Sequence, residues 1–273
     1  MISKRHYPAA LAAGVVVLGG LLLWPRKTAS APGPSPVPGP GPSPGLPAGP
    51  LPPGTTALTS YLPDDFFRGV IKLTDYANSK GATLKPEDFL AVFLAESDVK
   101  PTSINGIGCA GLNQICNLHG VGFPQEKGYV GDKFAWAKLS KSARMPFIQQ
   151  YAALSAVEQL EYVKRFFDGW NHYPKFVNYG ALYMANFTPG YLDHANDPTW
   201  VIARKSPDDD GSKAYAEAHP KQFYPGNAGI DIFPKKGYIE VADMTRFVDR
   251  AVGGSRAKFN EMRMRLANVR ASV

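Results

Sequence analysis

Glu96 closes the run Pro86 to Glu96 (PEDFLAVFLAE), which its opening Pro-Glu-Asp and the apolar pattern behind it mark as a helix. At helical spacing Phe89, Val92 and Phe93 stand seven, four and three residues before Glu96 and share its face. The carboxylate is therefore expected at the C-terminal end of an apolar stripe. Partial burial and the negative end of the helix dipole both favour the neutral acid and raise its pKa. A carboxylic acid that keeps its proton near neutral pH is what cleavage of a glycosidic bond requires. The plainer reading is a surface ion pair with Lys100, four residues on. Pro101 weakens it, because the residue before a proline avoids helical geometry and the helix should already have ended.

Other chemistry-bearing residues are less persuasive. Cys109 and Cys116 bracket a Gly-Leu-Asn-Gln turn. In an exported domain they are expected to form a disulfide, worth about 2.5 kcal/mol on loop entropy; two buried thiols are the alternative. His119 lies nearby in sequence, but no third group orients it for nucleophilic cysteine chemistry. The stretch Asp231 to Asp243 (DIFPKKGYIEVAD) has a glycine at a calcium-loop offset. Ile232, Pro234 and Lys236 would then fill the first three ligand positions, so no metal is expected. The histidines show no ligand spacing, and no cofactor is called for.

The elements that must position Glu96 are mostly helices. Asp64 and Asp65 open an apolar pattern that reaches Tyr76 and is closed by Gly81. Ser155 and Glu158 form a capping box ahead of Leu160, Val163, Phe166 and Phe167. Asn178 to Phe187 reads as a short helix stopped by Pro189-Gly190, and Glu240 to Val252 and Ser255 to Arg270 as the last two. Residues 101–135 are rich in Gly, Asn and Cys without helical period, and suit a small hairpin region packed beside helices. The expected class is mainly α (α+β).

The N-terminal part is organised differently. Ala9 to Trp24 is an unbroken apolar run of 16 residues. As a helix it would span about 24 Å, between a signal-peptide core and a full membrane crossing. Trp24, Arg26 and Lys27 read as an interfacial anchor. The A-x-A site at Ala29 to Ala31 is followed by Pro32, which should obstruct cleavage. A retained anchor, contacting membrane through residues 9–24, is therefore favoured over a cleaved signal. Residues 32–54 hold 11 prolines and 6 glycines and form a linker without helix or ladder. The expected organisation is residues 1–31 anchor, 32–54 linker and 55–273 a folded domain. The net charge of +7 divides as +4 in residues 1–54, from Lys4, Arg5, Arg26 and Lys27 with no acid, and +3 in the remainder. So neutral a domain lacks the basic face that a phosphate backbone demands, and nucleic acid is excluded as the leading partner.

Glu96-Ser97 followed by Gly108-Cys109-Ala110-Gly111-Leu112-Asn113-Gln114 resembles the lytic transglycosylases of the lysozyme-like superfamily, whose pattern is an E-S pair and then G-x-x-G-L-x-Q. Leu182 to Phe187 looks like the family's third motif, although Ala185 rather than tyrosine precedes Asn186. Segments such as Ser155 to Phe167 are similar to lysozyme-like domains of phage tail and virion proteins. The resemblance covers most of residues 85–250. It implies a lysozyme-like helical domain acting on peptidoglycan glycan strands, cutting between N-acetylmuramic acid and N-acetylglucosamine with a 1,6-anhydro product. Glu96 would be the acid and then the base. Ser97, Gln114 and Asn186 would contact substrate, and Tyr183 would offer a stacking surface. The domain would face the cell wall from the periplasmic side of a membrane, or belong to a phage virion.

Two rivals remain at this level. A hydrolysing muramidase needs a second carboxylate about 5–9.5 Å away, for which Asp98, Asp231, Asp193 and Asp197 are the available residues. A lysozyme-like module that binds peptidoglycan without cutting has no reason to place Glu96 on an apolar face.

Overall fold

Nine α-helices, two short 3-10 helices and a two-stranded sheet are the regular elements among the described residues of this computed structural model, which are 62–204, 227, 229–231 and 236–272. The expected anchor and linker lie outside them. Among the described residues no helix is long and apolar enough to cross a membrane.

The first helix, α1 (Asp64–Ser79), starts with two acids at its positive end and is followed by Gly81 at φ +102°. α2 (Pro86–Ser97) opens on Pro86, with the Lys85 N–H donating to the Asp88 carboxylate at 2.7 Å. Here the structure corrects the single-stripe reading. Leu90, Ala91 and Leu94 are buried along with Phe89, Val92 and Phe93. A helix apolar on every side belongs at the centre of a fold. α2 is such a helix, packed against α1, α7 (Tyr179–Phe187), α8 (Val241–Gly254) and α9 (Arg256–Ala271).

Between α2 and α7 run α3 (Phe123–Glu126), α4 (Lys133–Lys138), α5 (Lys141–Ala152) and α6 (Ala156–Trp170). α5 was not legible in the sequence because Pro146 sits inside it and masks the pattern. α6 carries the expected capping box: Glu158 N–H donates to Ser155 Oγ at 3.2 Å, and Ser155 N–H donates to the Glu158 carboxylate at 2.7 Å. α7 is capped by Asn178, whose side-chain oxygen accepts from Ala181 N–H at 2.9 Å.

The β structure is displaced from its expected position. The sheet pairs β1 (Val201–Arg204) with β2 (Tyr238–Glu240) antiparallel, with a bulge between Val201 and Ala203. Residues 101–122 instead form turns with isolated bridges, Ile104 to Ala110 and Ala110 to Ile115. Ala110 and Ile115 exchange both backbone bonds, at 3.2 and 2.9 Å, around the four-residue tip Gly111 to Gln114. The next pair outward is Cys109 and Cys116, joined by a disulfide with Cα atoms 3.9 Å apart. A covalent staple and one ladder rung replace a longer hairpin.

Candidate active site

Glu96 occupies the last turn of α2, part-buried at the end of a helix whose residues Phe89 to Leu94 are all buried. The helix stops abruptly behind it. Asp98 and Val99 both take left-handed backbone, at φ 56° and 57°, which is uncommon for any residue but glycine and a true outlier for valine. Their N–H groups close back on the carbonyls of Leu94 and Phe93, each at 3.1 Å. This turn sends Lys100 away from Glu96: its ammonium lies 3.0 Å from Asp98. The surface pair between Glu96 and Lys100 is not formed.

Asn186, from the last turn of α7, supplies the partner instead. Its amide nitrogen donates to Glu96 Oε1 at 3.2 Å. The same nitrogen donates to Asn113 Oδ1 at 2.9 Å, and Asn113 Nδ2 donates back to Asn186 Oδ1 at 2.8 Å. Two carboxamides thus clasp each other, and one reaches the acid. Asn113 is 2% exposed, so each of its bonds is made away from competing water. Burial pushes the Glu96 carboxyl up to about 7, while the Asn186 bond, which favours the anion, pulls the other way. Burial is the larger of the two.

Four further carboxylates were available as partners to Glu96, and each is engaged elsewhere. Asp98 is held by Lys100 and Lys258, both at 3.0 Å, which keep its pKa low against the effect of burial. Asp231 is buried and accepts from the N–H groups of Lys236 and Gly237 at 3.0 and 2.9 Å. Asp193 pairs with Lys175 at 3.1 Å on the surface. Asp197 accepts from Thr199 at 2.7 Å.

The other residues singled out in the sequence fall around this centre in supporting positions. Ser97 is buried, and its hydroxyl is within donating distance of the carbonyls of Phe93 at 3.1 Å and Leu112 at 2.9 Å. It ties the end of α2 to the glycine-rich tip rather than reaching outward. Gln114 directs its amide nitrogen to the carbonyls of Gly111 at 2.9 Å and Ser103 at 3.3 Å, bracing the turn. Tyr183 does not offer a sugar-stacking face. It is 1% exposed and stacks on Phe247 of α8 with ring centres 5.2 Å apart. Its position inside α7, one turn before Asn186, makes it core. Burial, and then the nearby Glu96 charge, push its hydroxyl well above the usual tyrosine range.

Two residues of the site were missed. Asn113 fills the unspecified position of G-L-x-Q, and only the tip's fold turns it toward α7. Gln159 lies on the apolar register of α6 with Ala156, Leu160 and Val163, a buried polar residue whose position is itself the signal. Its oxygen accepts from Leu112 N–H at 2.8 Å, and its nitrogen donates to the Pro101 carbonyl at 2.9 Å. A Cβ on Gly111 would collide with the Gln159 side-chain oxygen and lie 2.6 Å from the Tyr151 ring. Glycine is required there on two counts, since its φ is +80°.

Among the described residues no cluster of acids, histidines and cysteines could hold a metal ion. What the arrangement offers is a single proton held near neutral pH, beside an amide that stabilises the anion left when the proton departs. Comparison of the chain with protein-family models, with curated proteins and with solved structures finds no match.

Proposed function

We propose that the folded part of this chain is a lysozyme-like lytic transglycosylase of peptidoglycan. Glu96 donates its proton to the glycosidic oxygen between N-acetylmuramic acid and N-acetylglucosamine as the bond to the muramic C1 breaks. The resulting carboxylate, stabilised by the Asn186 N–H, then takes the proton of the muramic 6-hydroxyl. That oxygen bonds to C1 and closes the 1,6-anhydro ring, so no water is consumed. One carboxylate suffices because the substrate supplies the nucleophile.

The observation that carries this reading is the isolation of Glu96 among the described residues. Its carboxyl is raised to about 7 by burial, and among those residues its one side-chain hydrogen bond is to a neutral amide. A hydrolysing enzyme needs a second carboxylate aimed at water or at the anomeric carbon. Among the described residues Asp98, Asp231, Asp193 and Asp197 are committed to lysines, backbone or a hydroxyl. On the same reading the N-terminal apolar run tethers the domain to a membrane facing the wall, or to a virion that opens it.

The test is digestion of purified sacculi with the full chain in mild detergent, followed by mass spectrometry of the released muropeptides. Products lighter by one water, with anhydro ends, are expected. Water-added ends would replace this proposal with the muramidase. Sacculus binding without release would replace it with the binding module. Glu96→Gln should lower release at least about 100-fold, the scale of a lost general acid.

A further inference from the structure

The domain's charge is not spread evenly. Residues 128–150 carry Lys133, Lys138, Lys141 and Arg144 against Asp132 alone, a net +3 that equals the net charge of all of residues 55–273. The one acid caps α4, accepting from Phe134 and Ala135 N–H at 2.9 and 2.8 Å. Lys133, Lys138 and Lys141 are exposed. The Lys133 ammonium stands 5.2 Å over the Phe134 ring, and the Lys141 ammonium donates to the Gly106 carbonyl.

The same lobe exposes its apolar side chains. Val130 is 101% exposed and Phe134 61%, and Ile107, beside the carbonyl that Lys141 binds, is also exposed. Their neighbours in sequence point inward. Tyr129 and Trp136 pack edge to face at 5.3 Å, and both meet Phe147, at 5.9 and 5.6 Å. Val130 and Phe134 therefore project from a rigid aromatic base.

We propose that this lobe, with Val130 and Phe134 exposed and Lys133 and Lys138 on the same short helix as Phe134, docks on the surface of an anionic lipid bilayer. The lysines answer the headgroup charge, and the two apolar side chains enter the boundary between headgroups and acyl chains. A polyanionic wall polymer would satisfy the lysines but leave Val130 and Phe134 in water, which is why lipid is the better occupant. Among the described residues no hydrogen bond or ion pair joins the lobe to Glu96, Asn113 or Asn186, and the two proposals have different readouts, so failure of this one leaves the cleavage proposal standing, and the reverse.

The test places an environment-sensitive nitrobenzoxadiazole label on Val130→Cys, in the non-reduced full chain so that Cys109 and Cys116 stay paired. A second protein carries the label on Phe134→Cys. Each is reconstituted into phosphatidylcholine vesicles with and without phosphatidylglycerol. Blue-shifted emission and quenching by doxyl lipids are expected only with phosphatidylglycerol. Lys133→Ala and Lys138→Ala should each lower the lipid-facing fraction's equilibrium constant about fivefold. Labels that stay in water in both vesicles overturn the proposal, as does equal quenching in both. Dextran sulfate that binds the chain as strongly as the anionic vesicles do, with the label remaining polar, would make this a polymer-binding surface instead. A shift that follows protein concentration rather than lipid would make it a contact between copies of the chain.

Discussion

The proton on Glu96 sets a balance between stability and reactivity that can be measured. Its carboxyl titrates at about 7 in the fold and at the ordinary 4.5 when unfolded. A raised acid makes the native state the better proton binder between those values, so its contribution is whole below about pH 4.5 and is lost as pH rises through 7. Glu96→Gln removes a group that must ionise in a buried place. The variant should match wild type near pH 4.5 and exceed it at pH 8 by on the order of 3 kcal/mol, read from urea midpoints at the two pH values. On the proposed function, wild-type release should fall on the alkaline side with an apparent pKa near 7. Asn186→Ala should move that limb to higher pH, because the lost bond was the one lowering the acid's pKa. It also orphans the Asn113 carboxamide, at a cost of about 1–3 kcal/mol, so pH profile and unfolding should change together.

At the scale of elements, the site depends on how the tip Gly111 to Gln114 is held. The disulfide closes it from behind, Gln159 pins Leu112 from the α6 side, and Ser97 joins it to α2. Gly111→Ala should cost roughly 3 kcal/mol, combining left-handed backbone with collision against Gln159 and Tyr151. Gly128 provides the comparison. Its φ is +87° with nothing within 4 Å of a Cβ, so Gly128→Ala should cost only about 1 kcal/mol. Thermal melts of the two variants separate the steric part from the backbone part. The capping box of α6 and the Pro-opened start of α2 were legible in the sequence because they are local, made between residues within a few positions of one another. The hidden helix α5 and the displaced sheet were not. Pro146 breaks the pattern of the first, and the strands of the second are separated by more than 30 residues, so their pairing is a matter of topology.

Across the whole molecule, α2 can be buried on every side only because the last helix returns to cover it. Arg265 of α9 donates to the Leu62 carbonyl at 2.7 Å and to Asp64 at 2.6 Å, and its guanidinium lies 4.9 Å over the Phe67 ring. Leu266 beside it is fully buried. Leu266→Ala should therefore lower stability by about 2–5 kcal/mol in denaturant unfolding, despite lying at the far end of the chain from Glu96.

The sequence by itself determined a mainly helical domain, the positions of six of its helices and Glu96 as the acid to examine, because caps, periodicity and a carboxylate behind an apolar run are properties of neighbouring residues. Only the tertiary structure decided what surrounds that acid. It brought Asn186 from 90 residues away and Asn113 from the glycine-rich tip, and it turned Tyr183 into the core and Lys100 toward Asp98. Electrostatic environment is set by which groups meet in space and how much water they exclude. Residues distant in the chain supply both, and no local pattern records them.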